Sequence, residues 1–90
     1  MNLYISQDTY DEVERLVEQA LEAPSKNAAK PYVDQLDFLE ECGNYGGYTK
    51  CIFSELVSSV KRASGSVSDK KRLCYFARQD LYKLQGQIER

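Results

Sequence analysis

The sequence predicts an all-α fold, a small antiparallel bundle of four helices or of three long helices and one short one. Three observations lead to this prediction. Apolar residues recur at helical spacing in four segments, and the connections between the segments are short enough to make sequence neighbours pack antiparallel. The composition, 42% hydrophobic and 29% charged with two prolines and five glycines, is that of an ordinary globular protein. We therefore expect one domain over residues 1–90.

The first predicted helix begins near Ser6 or Asp8, either of which serves as an N-cap, and ends at Ala23 because Pro24 cannot continue it. Its apolar residues lie on one stripe and its charged residues lie mostly opposite. The stripe consists of Tyr10, Val13, Leu16, Val17, Ala20 and Leu21. This pattern is typical of an amphipathic surface helix. Residues 1–5, which precede it, could form a short extended segment.

The second helix is predicted to follow a connection over residues 24–30, with Pro31 in its first turn, where the missing N–H costs no hydrogen bond. One face holds Tyr32, Val33, Leu36 and Leu39. Phe38 projects to a different side and needs another element or a partner to cover it. Gly43 is expected to end this helix in the left-handed conformation.

The third helix is predicted over residues 50–63, with Thr49 as a cap, and the run 64–68 ends it. Its apolar side holds Ile52, Phe53, Leu56, Val57 and Val60. Ser68 is expected to cap a fourth helix that continues to about Gln87. The predicted buried side of this helix holds Leu73, Phe76, Ala77, Leu81, Leu84 and Ile88.

Several classes of function are disfavoured. No apolar run approaches the roughly 20 residues that span a bilayer, and the first fifteen residues lack the basic start and apolar stretch of a signal peptide, so we expect a cytoplasmic protein. Histidine is absent, which removes the commonest general base and metal ligand. We expect no enzymatic activity, cofactor or metal. Cys42, Cys51 and Cys74 form no CxxC pair and are interpreted as reduced, structural thiols.

The charges are unevenly distributed along the chain. Residues 1–41 contain three basic and ten acidic residues, a net charge of −7, whereas residues 42–90 contain nine basic and four acidic residues, a net charge of +5. Either the acidic helices pack beside the basic ones and the charges offset one another, or the protein has an acidic and a basic face and associates head to tail. The pI near 5.1 argues against extended nucleic-acid binding.

The basic residues concentrate around the Ser/Gly-rich turn at 64–68, just before a predicted helix start. The candidate anion-binding residues are Lys61, Arg62, Ser66, Ser68, Lys70, Lys71 and Arg72. Backbone N–H groups at a helix start and flanking cations together bind phosphate oxygens. No GxxxxGK[ST] or GxGxxG spacing is present, and the alternative is that these cations are simply solvated.

Aromatic residues supply the other candidate site. Tyr75 and Tyr82 are seven residues apart and project almost opposite the apolar side of the fourth helix. This position indicates a partner surface or a surface for self-association or, alternatively, plain exposure. The loop over residues 43–48 resembles in composition an adaptable recognition loop, or is a turn with a tyrosine against the core. The predicted partner-binding residues are Phe38, Tyr45, Tyr48, Tyr75 and Tyr82.

We therefore expect a helical interaction module, a regulator, adaptor or inhibitor that binds a partner protein and forms a homo-oligomer. The alternative function, from a different class, is the binding of a nucleotide or another phosphate compound at residues 64–72.

Overall fold

A computed structural model describes residues 4–43, 45–65 and 68–88 of the chain. Within these residues the helices are α1 (Gln7–Glu22), α2 (Lys26–Cys42), α3 (Gly47–Gly65) and α4 (Lys70–Gln85). Helices adjacent in sequence pack against each other, most extensively α3 with α4, and α1 also contacts α3 and α4. The predicted all-α, four-helix antiparallel bundle is confirmed.

Helix α1 has the predicted cap and the predicted buried stripe. The Ser6 side chain accepts a hydrogen bond from the backbone N–H of Thr9 at 3.2 Å, and the helix ends before Pro24. Each of the six stripe residues is buried: Tyr10, Val13, Leu16, Val17, Ala20 and Leu21. The 3.6-residue period of the apolar side chains therefore determines which side of α1 faces the core.

Helix α2 begins one and a half turns earlier than predicted. Ser25 is the N-cap, and its hydroxyl accepts from the N–H of Ala28 at 3.1 Å, so Pro31 lies inside the helix instead of in its first turn. The missing N–H of Pro31 costs one intrahelical hydrogen bond, to the carbonyl of Asn27. The prediction of a left-handed Gly43 was also wrong, because its φ is −81° and its ψ is 146°.

Helix α3 begins at Gly47, so Thr49 lies inside the helix and is not its cap. The Thr49 side chain is buried, and its hydroxyl donates to the Gln87 side-chain oxygen at 3.0 Å. The predicted apolar side of α3 is confirmed, since these residues are all buried: Ile52, Phe53, Leu56, Val57 and Val60.

Asp69, and not Ser68, stands at the N-cap position of helix α4, and the helix ends at Gln85. Its buried residues are Cys74, Ala77, Leu81 and Leu84. Leu73 and Ile88 are partly buried against the core. The assignment of Phe76 to the buried side was wrong, because its side chain is exposed and borders Ser59 and Arg62 of α3, which offer no apolar cover.

The two ends of the described chain meet beside α1 and α4. The N–H of Ile5 donates to the carbonyl of Gln87 at 3.0 Å, and Ile5 forms an isolated parallel bridge with Ile88. The extended piece predicted before α1 is thus confirmed at Ile5, while residues 1–3 lie outside the described residues. At the opposite end of the same helix pair, the Lys70 ammonium donates to the carbonyl of Ala23 at 2.9 Å.

The described helices are all too short or too polar to cross a bilayer. The three cysteines are free thiols: Cys42 and Cys51 are exposed, and Cys74 lies on the buried side of α4. The placement of Cys74 agrees with a cysteine used as a small core residue.

Candidate protein-interaction surface

Helix α4 turns a cationic and aromatic side away from the bundle. The exposed side chains on this side, which we call the α4 face, are Lys71, Arg72, Tyr75, Phe76, Gln79, Tyr82 and Lys83. The exposed fractions of the rings are 59% for Tyr75, 49% for Phe76 and 73% for Tyr82. Tyr75 and Phe76 contact each other edge to face, with ring centroids 5.9 Å apart. Three large rings therefore lie on one solvent-facing side of a single helix.

The α4 face contains no acidic side chain. The single carboxylate of α4 belongs to Asp80, which is mostly buried and turned toward α3. It accepts a hydrogen bond from the Ser59 hydroxyl at 2.5 Å and lies 3.9 Å from the Lys83 ammonium. The outer side of α4 therefore presents positive charge and aromatic surface together.

A groove runs along the outer side of α3 and reaches α4 at Asp80. Its volume is about 740 Å³, and small side chains such as Cys51, Ser54 and Ser58 form much of its floor. A second depression of about 270 Å³ shares Ser59, Arg62 and Asp80 with this groove and reaches Phe76. Small side chains leave room for a partner's side chains beside the exposed rings.

Sequence reasoning did not identify Phe76 or the groove as part of the surface. The signal for the groove is the series Cys51, Ser54, Ser58 and Arg62, which follows helical spacing on the side of α3 opposite its apolar residues. Phe76 lies about 100° around the helix from the centre of the buried side, so its position is at the boundary between the core and solvent. Only the arrangement of α3 determines on which side of that boundary the ring lies.

Tyr45 belongs to the core, which agrees with the interpretation of the loop as a turn. Its ring centroid is 5.5 Å from that of Phe53, and its hydroxyl donates to the carbonyl of Leu39 at 3.1 Å. Burial, with the nearby carboxylate of Glu40, raises the pKa of Tyr45. A ring held in this way is a poor contact group for a partner.

Tyr48 and Phe38 are exposed, but the structure places them away from the α4 face. Tyr48 lines a depression of about 250 Å³ together with Tyr4 and Gln87. Phe38 lies on α2, which makes no helix-to-helix contact with α4 in the part of the chain described. The five predicted contact residues therefore separate into one pair, Tyr75 and Tyr82, and three others.

Several predicted anion-binding cations have partners within the protein. The Lys61 ammonium lies 3.1 Å from the Asp37 carboxylate, and Lys70 donates to the α1–α2 connection. Arg72 forms an ion pair with Asp69 at 3.0 Å. Arg62 lines the groove beside α3. These side chains point to different parts of the surface, and the structure does not bring them together.

A smaller group of the predicted residues does come together. Ser68, Lys71 and Arg72 line a shallow depression of about 420 Å³ at the start of α4, with Asp69 and Tyr75. Ser66 lies outside the described residues. The Asp69 carboxylate in this depression opposes an anion, whereas the serine hydroxyl and the two cations attract one.

The acidic and basic halves of the chain offset each other in part. Arg78 pairs with Glu18 at 3.2 Å across α4 and α1, and Lys50 lies 3.7 Å from Glu40. With the Lys61 pair described above, these contacts join the two halves, and exposed pairs of this kind contribute about 0–1 kcal/mol each. The exposed cations of the α4 face take no part in these pairs between halves.

No three Cys, Asp or Glu side chains of residues 4–43, 45–65 and 68–88 are grouped as a metal ion requires. Comparison of the chain with protein-family models, curated proteins and solved structures gave no match. Function is therefore inferred from the geometry of the surface alone.

Proposed function

We propose that this protein is a non-enzymatic helical interaction module, a cytoplasmic regulator, adaptor or inhibitor that acts by binding a partner protein and also self-associates. The observation that supports the proposal is the α4 face, where Tyr75, Phe76 and Tyr82 expose large rings on one side of a single helix. Isolated exposed aromatics are ordinary, but three on one side of one helix, flanked by cations, are typical of a binding surface.

The chemistry of this surface indicates what kind of partner it fits. Tyrosine combines apolar contact area with a hydroxyl that donates and accepts hydrogen bonds. Because its side chain has few rotatable bonds, it loses little conformational entropy when a partner buries it. Lys71 and Arg72 precede the rings, and Lys83 follows them. A partner that combines apolar side chains with carboxylates is complementary to both the rings and the cations of the α4 face.

Replacing both Tyr75 and Tyr82 by serine is expected to weaken partner binding by at least about tenfold, because central aromatic contacts contribute more than 1 kcal/mol each. The melting temperature is expected to stay nearly unchanged, since both rings are exposed. The measurement is an affinity titration against a partner captured with the wild-type chain.

Tyr4→Ser is the matched control, because Tyr4 is an exposed tyrosine outside the α4 face. It is expected to leave the affinity unchanged. An affinity that is the same in the double variant as in the wild type would contradict the proposal.

The alternative is a binder of a nucleotide or another phosphate compound. The depression lined by Ser68, Lys71, Arg72 and Tyr75 is the observation in its favour. It predicts that nucleotides raise the melting temperature at low ionic strength, that salt removes the effect, and that Lys71→Gln with Arg72→Gln abolishes it. Lys70 is left unchanged because its ammonium bonds to Ala23. If no nucleotide in the panel shifts the melting temperature, this alternative fails.

A further inference from the structure

We infer that the protein self-associates head to tail, with the α4 face of one copy bound to the acidic outer side of α1 in the next copy. The inference rests on the self-association in the proposed function and specifies its two surfaces. The second surface, which we call the α1 face, consists of the exposed carboxylates Asp8, Asp11, Glu14 and Glu22.

The α1 face is strongly negative after the internal ion pairs are considered. Helix α1 contains six acidic residues and one basic residue, a net charge of −5. The basic residue, Arg15, forms an ion pair with Glu12 of the same helix. Its charge is thereby neutralised locally, and the four exposed carboxylates of the α1 face remain.

The negative field of these carboxylates is also evident at a neighbouring side chain. The pKa of Tyr10 is raised to about 12, first by burial and then by the charges of Glu14 and Asp11. A surface that disfavours an additional negative charge nearby attracts a cationic one for the same reason.

The α4 face complements the α1 face in charge and in length. Helix α4 contains five basic residues and one acidic residue, and both helices are 16 residues long. On the α4 face Arg72 pairs with Asp69 and Lys83 lies 3.9 Å from Asp80, so Lys71 supplies most of the net positive charge of the face. Tyr75 and Tyr82 add hydroxyl groups that can donate hydrogen bonds to carboxylates. Cations near both ends of α4 and carboxylates near both ends of α1 allow contact along the whole helix.

A symmetric contact between two α4 faces is disfavoured. It would place the cations of one copy against those of the other, since Lys71 and Arg72 lie at one end of the helix and Lys83 at the other. Within one copy the two faces are unable to meet, because α1 and α4 already pack side by side through Glu18 and Arg78. When the α4 face of one copy binds the α1 face of another, each copy still has one unbound face. Further copies therefore add at both ends.

The test measures molecular mass by light scattering at low ionic strength. One variant reverses the α4 face by Lys71→Glu and Arg72→Glu, and another reverses the α1 face by Asp11→Lys, Glu14→Lys and Glu22→Lys. Each variant alone is expected to stay at the monomer mass of 10.3 kDa, because its two faces then carry charge of the same sign. An equimolar mixture is expected to associate, since one variant supplies an acidic α1 face and the other a basic α4 face.

A third variant controls for net charge. Lys26→Glu with Lys30→Glu changes the net charge as much as the reversal of the α4 face but alters exposed residues of α2. It is expected to associate like the wild type. If it is monomeric, net charge and not the two faces controls association, and the inference is overturned.

The other outcomes are equally distinct. If the variant with the reversed α1 face associates alone like the wild type, the contact lies elsewhere and the inference fails while self-association stands. If the wild type stays monomeric at millimolar concentration, the inference and self-association both fail, and partner binding is decided separately by the tyrosine variants. Circular dichroism verifies each fold, and Lys71→Glu with Lys83→Glu replaces the α4 reversal if that variant unfolds.

Discussion

Replacing Phe53 by alanine is expected to destabilise the fold by about 3–5 kcal/mol, the usual cost of removing a fully buried phenylalanine. Phe53 is 0% exposed and is the largest of the fully buried side chains. It also contacts the Tyr45 ring, so the substitution removes support from the connection between α2 and α3. Urea denaturation followed by circular dichroism measures the change.

Phe38→Ala is the matched control for this prediction. It makes the same chemical change at a position that is 64% exposed, and we expect a loss within about 0.5 kcal/mol, as for most surface substitutions. Equal losses in the two variants would mean that α2 and α3 bury different sides from those described.

Replacing Gly43 by alanine is expected to destabilise the fold by about 2 kcal/mol, the usual cost of overpacking a filled site. The new Cβ would overlap the Tyr45 ring, although the φ of −81° at Gly43 suits any residue. The ring is unable to move away without losing its hydrogen bond to Leu39 and its contact with Phe53. The same urea denaturation applies.

Gly47→Ala provides a control of opposite sign. A Cβ at Gly47, the first residue of α3, would meet nothing within 4 Å. Alanine restricts the unfolded chain more than glycine does, so we expect this variant to gain up to about 0.5–1 kcal/mol. If both alanine variants shift stability in the same direction, crowding by Tyr45 does not explain the Gly43 result.

The helices and their buried sides follow from periodicity, whereas several boundaries do not. The spacing of the apolar residues in α1 and α3 determines which sides face the core, and the structure confirms both. Helix α2 starts at Lys26, directly after its N-cap Ser25, and not at Pro31 as predicted. A proline inside a helix costs a single hydrogen bond. This cost is small enough that residues 26–30, predicted to be part of the connection, belong to the helix.

The candidate surface was predicted only in part, because it depends on contacts between helices. Tyr75 and Tyr82 are exposed as their position opposite the core requires. Phe76 joins them because α3 presents polar side chains at its level. The predicted anion-binding side chains point apart because Lys61 contacts α2 and Lys70 contacts the α1–α2 connection. These contacts join residues far apart in the sequence, so no local sequence pattern predicts them.

The pairing of α1 with α4 has a consequence for folding kinetics. Glu18 and Arg78 are 60 residues apart in the chain, and closing so long a loop costs more entropy than forming either hairpin of consecutive helices. We expect the α1–α2 and α3–α4 hairpins to form early and to dock late along this pair. Unfolding then starts there, so the Ile5 amide, which bonds to the Gln87 carbonyl, exchanges hydrogen before the amides of the α3 core.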